Sequence, residues 1–283
     1  MQFYSPLRYP GGKNRLAKFL ALVCEKNKIN GHYVEPYAGG ASVALYLLIN
    51  SYIKEITIND YDRAIYAFWY AILNNTERFC KKIIDTEVSV ENWHKFRIVY
   101  SDKKNASLFN LGFATFFLNR TCRSGILDSG VIGGKNQKGK YKIDCRFNKK
   151  ELIKRIKLIG SKKNHIHLNF LDALELIKKI QSKPDRNTIY YFDPPYFLKG
   201  PALYMNYYKE DDHKEVSIKI KEIKNSRWIV SYDNVSKINK LYKGLRKLKY
   251  KIPYIAHTSR EGKEILFFSN NLLVPAIINP AQI

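Results

Sequence analysis

Thr188-Ile189-Tyr190-Tyr191-Phe192 reads as an apolar β-strand that runs without a spacer into Asp193-Pro194-Pro195-Tyr196. The strand thereby delivers a carboxylate at its carboxyl end, followed by two residues whose rings restrict the backbone. The pattern recurs upstream. Tyr33-Val34-Glu35-Pro36-Tyr37 is a β-prone run ending in Ala38-Gly39-Gly40, and Ala41 to Asn50 then reads as an apolar helix. Glu55-Ile56-Thr57-Ile58-Asn59 is a second strand with Asp60 at its end, and Asp62 is placed to cap a helix through Ala64, Phe68 and Ala71. His165-Ile166-His167-Leu168 precedes Asp172, Trp228-Ile229-Val230-Ser231 reads as another strand, and Lys249 to Tyr254 with Glu264 to Ser269 form a terminal hairpin. Strand-helix repeats of this kind predict an α/β fold whose central sheet is parallel until the hairpin makes it mixed. Ligands of such sheets sit outside the carboxyl ends of the strands, where Gly39, Asp60, Asp172 and Asp193 converge.

Between these units the pattern breaks. From about Thr76 to Leu118 the chain reads as helices, including an apolar stretch from Leu108 to Leu118. A glycine-rich basic segment follows from Asn119 to Asn148, with Arg120, Arg123, Lys135, Lys138, Lys140 and Arg146 among its residues. Residues 76–148 are therefore expected to be an insertion into a domain formed by 1–75 and 149–283.

The chain has 283 residues, enough to bury a full core, and 45% of them are hydrophobic. Forty-nine Lys and Arg against 25 Asp and Glu leave a formal charge of +24, which points to a polyanion as partner. The amino terminus lacks the pattern of a secretory signal and no run approaches the length of a membrane span, so an intracellular, soluble protein is expected. Cys24, Cys80, Cys122 and Cys145 stand far apart without a C-x-x-C pair, which argues against a zinc knuckle or a disulfide framework.

Asp193-Pro194-Pro195-Tyr196 carries the sharpest chemical signal. An aromatic exocyclic amine is a poor nucleophile, because its lone pair is delocalised into the ring. Acceptors aimed at its N–H groups favour the pyramidal nitrogen that attack requires. The Asp193 carboxylate and the Pro194 carbonyl can supply two such acceptors, and Tyr196 can stack on a base taken out of a duplex. The glycine turn at Gly39 and Gly40 allows close approach of backbone to a ligand, while Asp60 is placed for ribose hydroxyls. Its pattern is not the dinucleotide fingerprint, so a pyrophosphate cofactor is not indicated. Arg8-Tyr9-Pro10-Gly11-Gly12-Lys13 is likewise no P-loop, since Asn14 follows the lysine and the spacing differs.

Together these residues resemble the D12 class of DNA N6-adenine methyltransferases, the family of the Dam enzymes, over nearly the whole chain. Tyr9-Pro10-Gly11-Gly12-Lys13 is similar to the family's amino-terminal cofactor segment, Glu35-Pro36-Tyr37-Ala38-Gly39-Gly40 to its glycine loop, Asp60 to its ribose-binding aspartate, and Asp193-Pro194-Pro195-Tyr196 to its catalytic loop. Leu118-Asn119-Arg120-Thr121-Cys122-Arg123-Ser124-Gly125 resembles its Leu-Asn-Arg signature, where the region contacting target DNA begins. The resemblance implies a Rossmann-like methyltransferase fold using S-adenosylmethionine and no metal. Tyr9, Lys13, Glu35, Pro36, Tyr37, Gly39, Gly40, Asp60, Asp172 and Asp193 would be the cofactor-binding residues, and the inserted segment would be a DNA-recognition subdomain. Arg120, Arg123, Ser124, Lys135, Asn136, Lys138 and Lys140 are the candidates for contact with double-stranded DNA, most of them through phosphate. The segment Ile126 to Tyr141 differs from that of the Dam enzymes, so no recognition sequence carries over. A bacterial or phage-encoded cytoplasmic monomer is expected, with a restriction endonuclease acting separately as the implied partner. Two other readings stay open: methylation of an RNA amine such as guanine N2, and a nucleic-acid-binding protein that has lost catalysis.

Overall fold

The computed structural model describes residues 3–9, 13–182, 185–198, 208–254 and 260–283. In chain order its principal elements begin with α1 Ala17–Lys26, β1 His32–Glu35, α2 Ser42–Ile49, β2 Glu55–Asn59 and α3 Arg63–Asn74. There follow α4 Thr76–Asp85, α5 Val90–Ser101, α6 Leu108–Thr121, α7 Lys149–Ser161, β3 Ile166–Asn169 and α8 Ala173–Ser182. The last are β4 Thr188–Phe192, α9 Glu210–Lys221, β5 Arg227–Asp233, α10 Ser236–Leu241, β6 Arg246–Tyr254 and β7 Arg260–Phe268. The chain divides into two compact units, one of Met1–Gly12 with Asp62–Phe170 and one of Lys13–Tyr61 with Leu171–Ile283.

The six strands of the second unit lie in the order β2-β1-β4-β5-β7-β6. β1 is parallel to β2 and to β4, and β4 is parallel to β5, whereas β7 runs antiparallel between β5 and β6. The sheet is thus mixed, as the sequence predicts, because β7 of the closing hairpin runs against both β5 and β6. Every residue of β4 is buried, which its unbroken Thr-Ile-Tyr-Tyr-Phe run explains: a strand covered on both faces has no polar side to offer. Around it Val34, Ile177, Phe192, Ile220, Trp228, Val230, Ile265 and Phe267 form one continuous core. The chain leaves β1 toward β2 and later returns to β1's other side as β4. That reversal marks the carboxyl ends of β1 and β4 as the switch point at which open α/β sheets hold ligands.

The other unit is mainly helical. Asp62 caps α3 as expected, its side chain accepting the Ala64 N–H at 2.9 Å. Phe68, Phe79, Phe113 and Phe116 pack ring against ring where α3, α4 and α6 meet. Gly112 allows that meeting, since a Cβ there would stand 2.3 Å from the Ala67 carbonyl oxygen. The helix α6 runs to Thr121, so Asn119, Arg120 and Thr121 are helical where a loop was expected. Asn119 explains the extension. It is 1% exposed, donates to the carbonyls of Arg8 and Gly125 at 2.9 Å and accepts the Arg8 N–H at 2.7 Å. A side chain with three backbone partners holds the last turn of the helix in register.

Candidate active site

Asp193 stands at the carboxyl end of β4 with its side chain 22% exposed. Lys13, 3% exposed and just ahead of α1, brings its ammonium to 2.8 Å from Asp193 Oδ1 and 3.0 Å from Oδ2. The Ser231 hydroxyl, from the neighbouring strand β5, donates to Oδ1 at 2.5 Å. Burial pushes the Asp193 carboxyl above its usual range, and Lys13 and Ser231 pull it back. Burial alone would lower the Lys13 ammonium, yet Asp193 and Glu264 outweigh it and hold the group well above the ordinary lysine value. Lys13 also donates to the Tyr196 hydroxyl at 3.2 Å. Tyr196 is 2% exposed and its hydroxyl donates a hydrogen bond to Glu264 Oε1 at 2.6 Å. Ser231, Tyr250 and Glu264 escape sequence reading, because an acid or hydroxyl in an apolar strand signals only that it has a partner, not which one.

At the end of β1, Glu35 is 5% exposed and accepts the Tyr33 hydroxyl at 2.9 Å. Burial raises its carboxyl to about 8, against the pull of Tyr33 and the Ala44 N–H and with added repulsion from Asp193. The glycine loop behind it is pinned to β2. Ala38 donates to the Asn59 carbonyl at 2.8 Å, and Gly39, left-handed at φ 46°, donates to Asp60 Oδ2 at 2.9 Å. The Asn59 amide bonds the carbonyls of Pro36 and Leu171 and its oxygen accepts the Leu171 N–H, so one buried asparagine ties both strand-end loops. Gly40 is buried and Tyr37 half-buried, with the Tyr37 hydroxyl 2.9 Å from that of Tyr208. Asp172 accepts the Leu174 N–H at 2.8 Å and closes the first turn of α8. Glu35, Pro36, Tyr37, Gly39, Gly40, Asp60, Asp172, Asp193, Pro194, Pro195, Tyr196 and Lys13 therefore all lie in the sheet-bearing unit. Tyr9 falls in the helical unit, and Pro10, Gly11 and Gly12 lie outside the described residues.

The DNA candidates all belong to the helical unit. Arg123, Ser124, Lys135, Asn136, Lys138 and Lys140 are exposed. The turn carrying the lysines is organised by Gln137, whose side-chain amide donates to the carbonyls of Ile132 and Gly134 while its oxygen accepts the Ile143 N–H. Arg120 is half-buried among Arg8, Arg146 and Arg155, of which only Arg146 shares the basic segment read from the sequence. Its Nε donates to the Arg146 carbonyl at 2.6 Å, and Arg8 donates to the Cys122 carbonyl at 3.4 Å. Burial and then these like charges push the Arg120 guanidinium down to about 9. Among the described residues no carboxylate pairs with any of the four. Among the described residues, too, no group of three His, Cys, Asp or Glu is placed to hold a metal ion, and no helix is long and apolar enough to cross a membrane.

The chain is similar to several known proteins. The Type II methyltransferase M.MjaIII of Methanocaldococcus jannaschii is 25% identical over 260 residues, covering 84% of this chain and 87% of that protein. Among solved structures, the rRNA methyltransferase aviRa of Streptomyces viridochromogenes is 10% identical over 90% of this chain and 85% of its own, at a TM-score of 0.37. Protein LPL1258 of Legionella pneumophila is also 10% identical, over 95% of this chain and 85% of its own, at 0.35. Structural likenesses of that size carry no argument. The sequence pattern of the D12 class N6 adenine-specific DNA methyltransferases, by contrast, matches residues 9–259. With most of its length inside that match, the chain belongs to the D12 class of adenine-specific DNA methyltransferases.

Proposed function

We propose that this enzyme moves a methyl group from S-adenosylmethionine to N6 of an adenine extruded from duplex DNA. One observation supports it above the rest. Asp193, at the reversal of strand order, is partly exposed and held from behind by Lys13 and Ser231. An acceptor fixed this way can take an amine proton in a hydrogen bond, with the Pro194 carbonyl as the second acceptor. Lys13 serves as counter-ion to Asp193, beside the cofactor contact that its motif implies. The Tyr196 ring is covered in this structure, so entry of a base must uncover one face while the hydroxyl stays on Glu264.

The donor set suits a cofactor that is cationic and carries no phosphate. Strand-end carboxylates at Asp60 and Asp172 and the buried glycine loop are present, and the nearby cation Lys13 is already engaged with Asp193. Asp60, Asp172, Glu35, Tyr37 and the backbone at Gly39 and Gly40 would hold it. When bound, it supplies an activated methyl group on a good leaving group. The chain's own part is position and electrostatics: to hold the amine, exclude water and receive the duplex on the basic surface that includes Arg120. The kinship with a Type II methyltransferase favours a modification role in the cytoplasm, beside a separate endonuclease of the same recognition sequence.

The test is Asp193→Ala, assayed by transfer of labelled methyl to duplex DNA together with calorimetry of cofactor binding. Activity should fall by about a thousandfold or more with the fold retained. An active, folded variant refutes the assignment.

A further inference from the structure

Glu264 is 1% exposed on β7, in a run whose next residues, Ile265, Leu266 and Phe267, belong to the core. A carboxylate in such a place is costly unless it is paired and hydrogen-bonded. Here both oxygens are used. Oε1 accepts the Tyr196 hydroxyl at 2.6 Å, Oε2 accepts the Tyr250 hydroxyl at 2.7 Å, and the Lys13 ammonium stands 3.8 Å from Oε2. Lys13 in turn reaches Asp193 and the Tyr196 hydroxyl. Asp193, Lys13, Tyr196 and Glu264 thus form a closed circuit that joins the terminal hairpin to the strand-end acceptor.

We propose that Glu264 is a positioning residue for methyl transfer, fixing the Tyr196 hydroxyl and the Lys13 ammonium so that Asp193 keeps one orientation toward the amine. The inference rests on the reading of Asp193 as the amine's acceptor. Its physical basis is the freedom of a lysine side chain. With one carboxylate in reach, a flexible ammonium settles wholly on that partner and competes for both of its oxygens. A second carboxylate on the far side, braced by two tyrosines, shares the cation and limits its travel. Tyr196 gains as well, because a hydroxyl held at both ends fixes the ring that follows the two prolines.

Charge supplies a readout that packing alone does not move. Asp193 is faced by Lys13 from ahead of α1, Glu35 from β1, Tyr191 on β4, Ser231 and Tyr232 from β5, and Glu264 from β7, with Tyr250 of β6 beside Lys13. Of these, Glu264 repels the ionised Asp193. Neutralising it makes Asp193 easier to ionise, so the acid limb of the rate profile moves to lower pH.

The experiment measures kcat, KM for duplex DNA, the pH profile and thermal unfolding for the full chain, Glu264→Gln and Tyr250→Phe. Glu264→Gln keeps the shape and one acceptor. It should lower kcat about tenfold, change KM for DNA by less than about twofold, and shift the acid limb downward. Tyr250→Phe removes the brace on Oε2 without touching Tyr196, and should lower kcat about threefold with the acid limb unmoved. A folded Glu264→Gln with wild-type kcat and profile overturns the proposal, as does a loss of kcat with no shift of the limb. If Glu264→Gln does not fold, Tyr250→Phe decides: wild-type kcat there overturns the proposal and a reduced kcat at unchanged KM supports it. Failure of the underlying reading looks different, since the unmutated chain would then place no methyl on duplex adenine.

Discussion

Lys13 in one unit and Arg120 in the other are cations drawn wholly or partly inside the protein, and their surroundings are opposite. Lys13 is enclosed by Asp193, Glu264 and tyrosine hydroxyls, which hold its ammonium above the ordinary lysine range. Arg120 is enclosed by Arg8, Arg146 and Arg155, and its guanidinium falls to about 9, still charged at neutral pH. A chain that stabilised itself with ion pairs would not leave four guanidiniums together with no acid among them. The first cluster is complete, with its counter-charge built in. The second has no counter-charge among the described residues, and under the proposed function a duplex would supply it through its phosphates.

Among the substitutions that test this contrast the largest effect should come from Lys13→Met, which removes the cation and leaves the buried Glu264 and the partly exposed Asp193 without their counter-charge. Stability should drop by about 3–5 kcal/mol, as for one half of a buried ion pair, and kcat by roughly a hundredfold in whatever fraction stays folded. Denaturant unfolding and single-turnover methyl transfer measure the two. A variant as stable and active as the parent would show that the cation is incidental. Arg120→Gln should behave in the reverse way. Relief of like-charge repulsion leaves the melting temperature unchanged or higher, while affinity for duplex DNA falls about tenfold and the slope of log K against log salt drops by about one. If this variant melts early and binds DNA as before, the arginine cluster is structural and the contrast between the units fails.

The contrast also shows what a sequence displays and what it hides. β2 and β4 stand where the run of residues put them, and the terminal hairpin is present though longer, because β-prone runs bounded by glycine, proline and asparagine are local signals. The strand-end acids are legible for the same reason. The partners of those acids are not. Lys13 meets Asp193 across 180 residues and Tyr196 meets Glu264 across 68, and no local pattern encodes such a meeting. Arg120 was visible through its motif, whereas Arg8, Arg146 and Arg155 became its neighbours only by folding. Nor does the periodicity of residues 63–74 reveal which body they pack on; α3 joins the helical unit through Gly112, a glycine with no turn to announce it.

A smaller effect concerns Glu35, the third carboxylate beside the Lys13 cluster. Its folded value near 8 stands above the ordinary 4.5, so between those values the folded chain keeps a proton that the unfolded chain releases. Stability therefore falls as pH rises across that interval: the contribution is whole below about 4.5 and gone once the carboxyl ionises near 8. Glu35→Gln stays neutral throughout and its amide oxygen can still accept the Tyr33 hydroxyl. The variant should match the parent at the acid end and exceed it by about 1–2 kcal/mol at the alkaline end, a fraction of the limit set by 1.36 kcal/mol per unit. Urea unfolding at a series of pH values reads the difference directly. Parallel curves would mean that Glu35 is ionised already at neutral pH, which puts three negative charges around one lysine and removes the balance that distinguishes this cluster from the arginines.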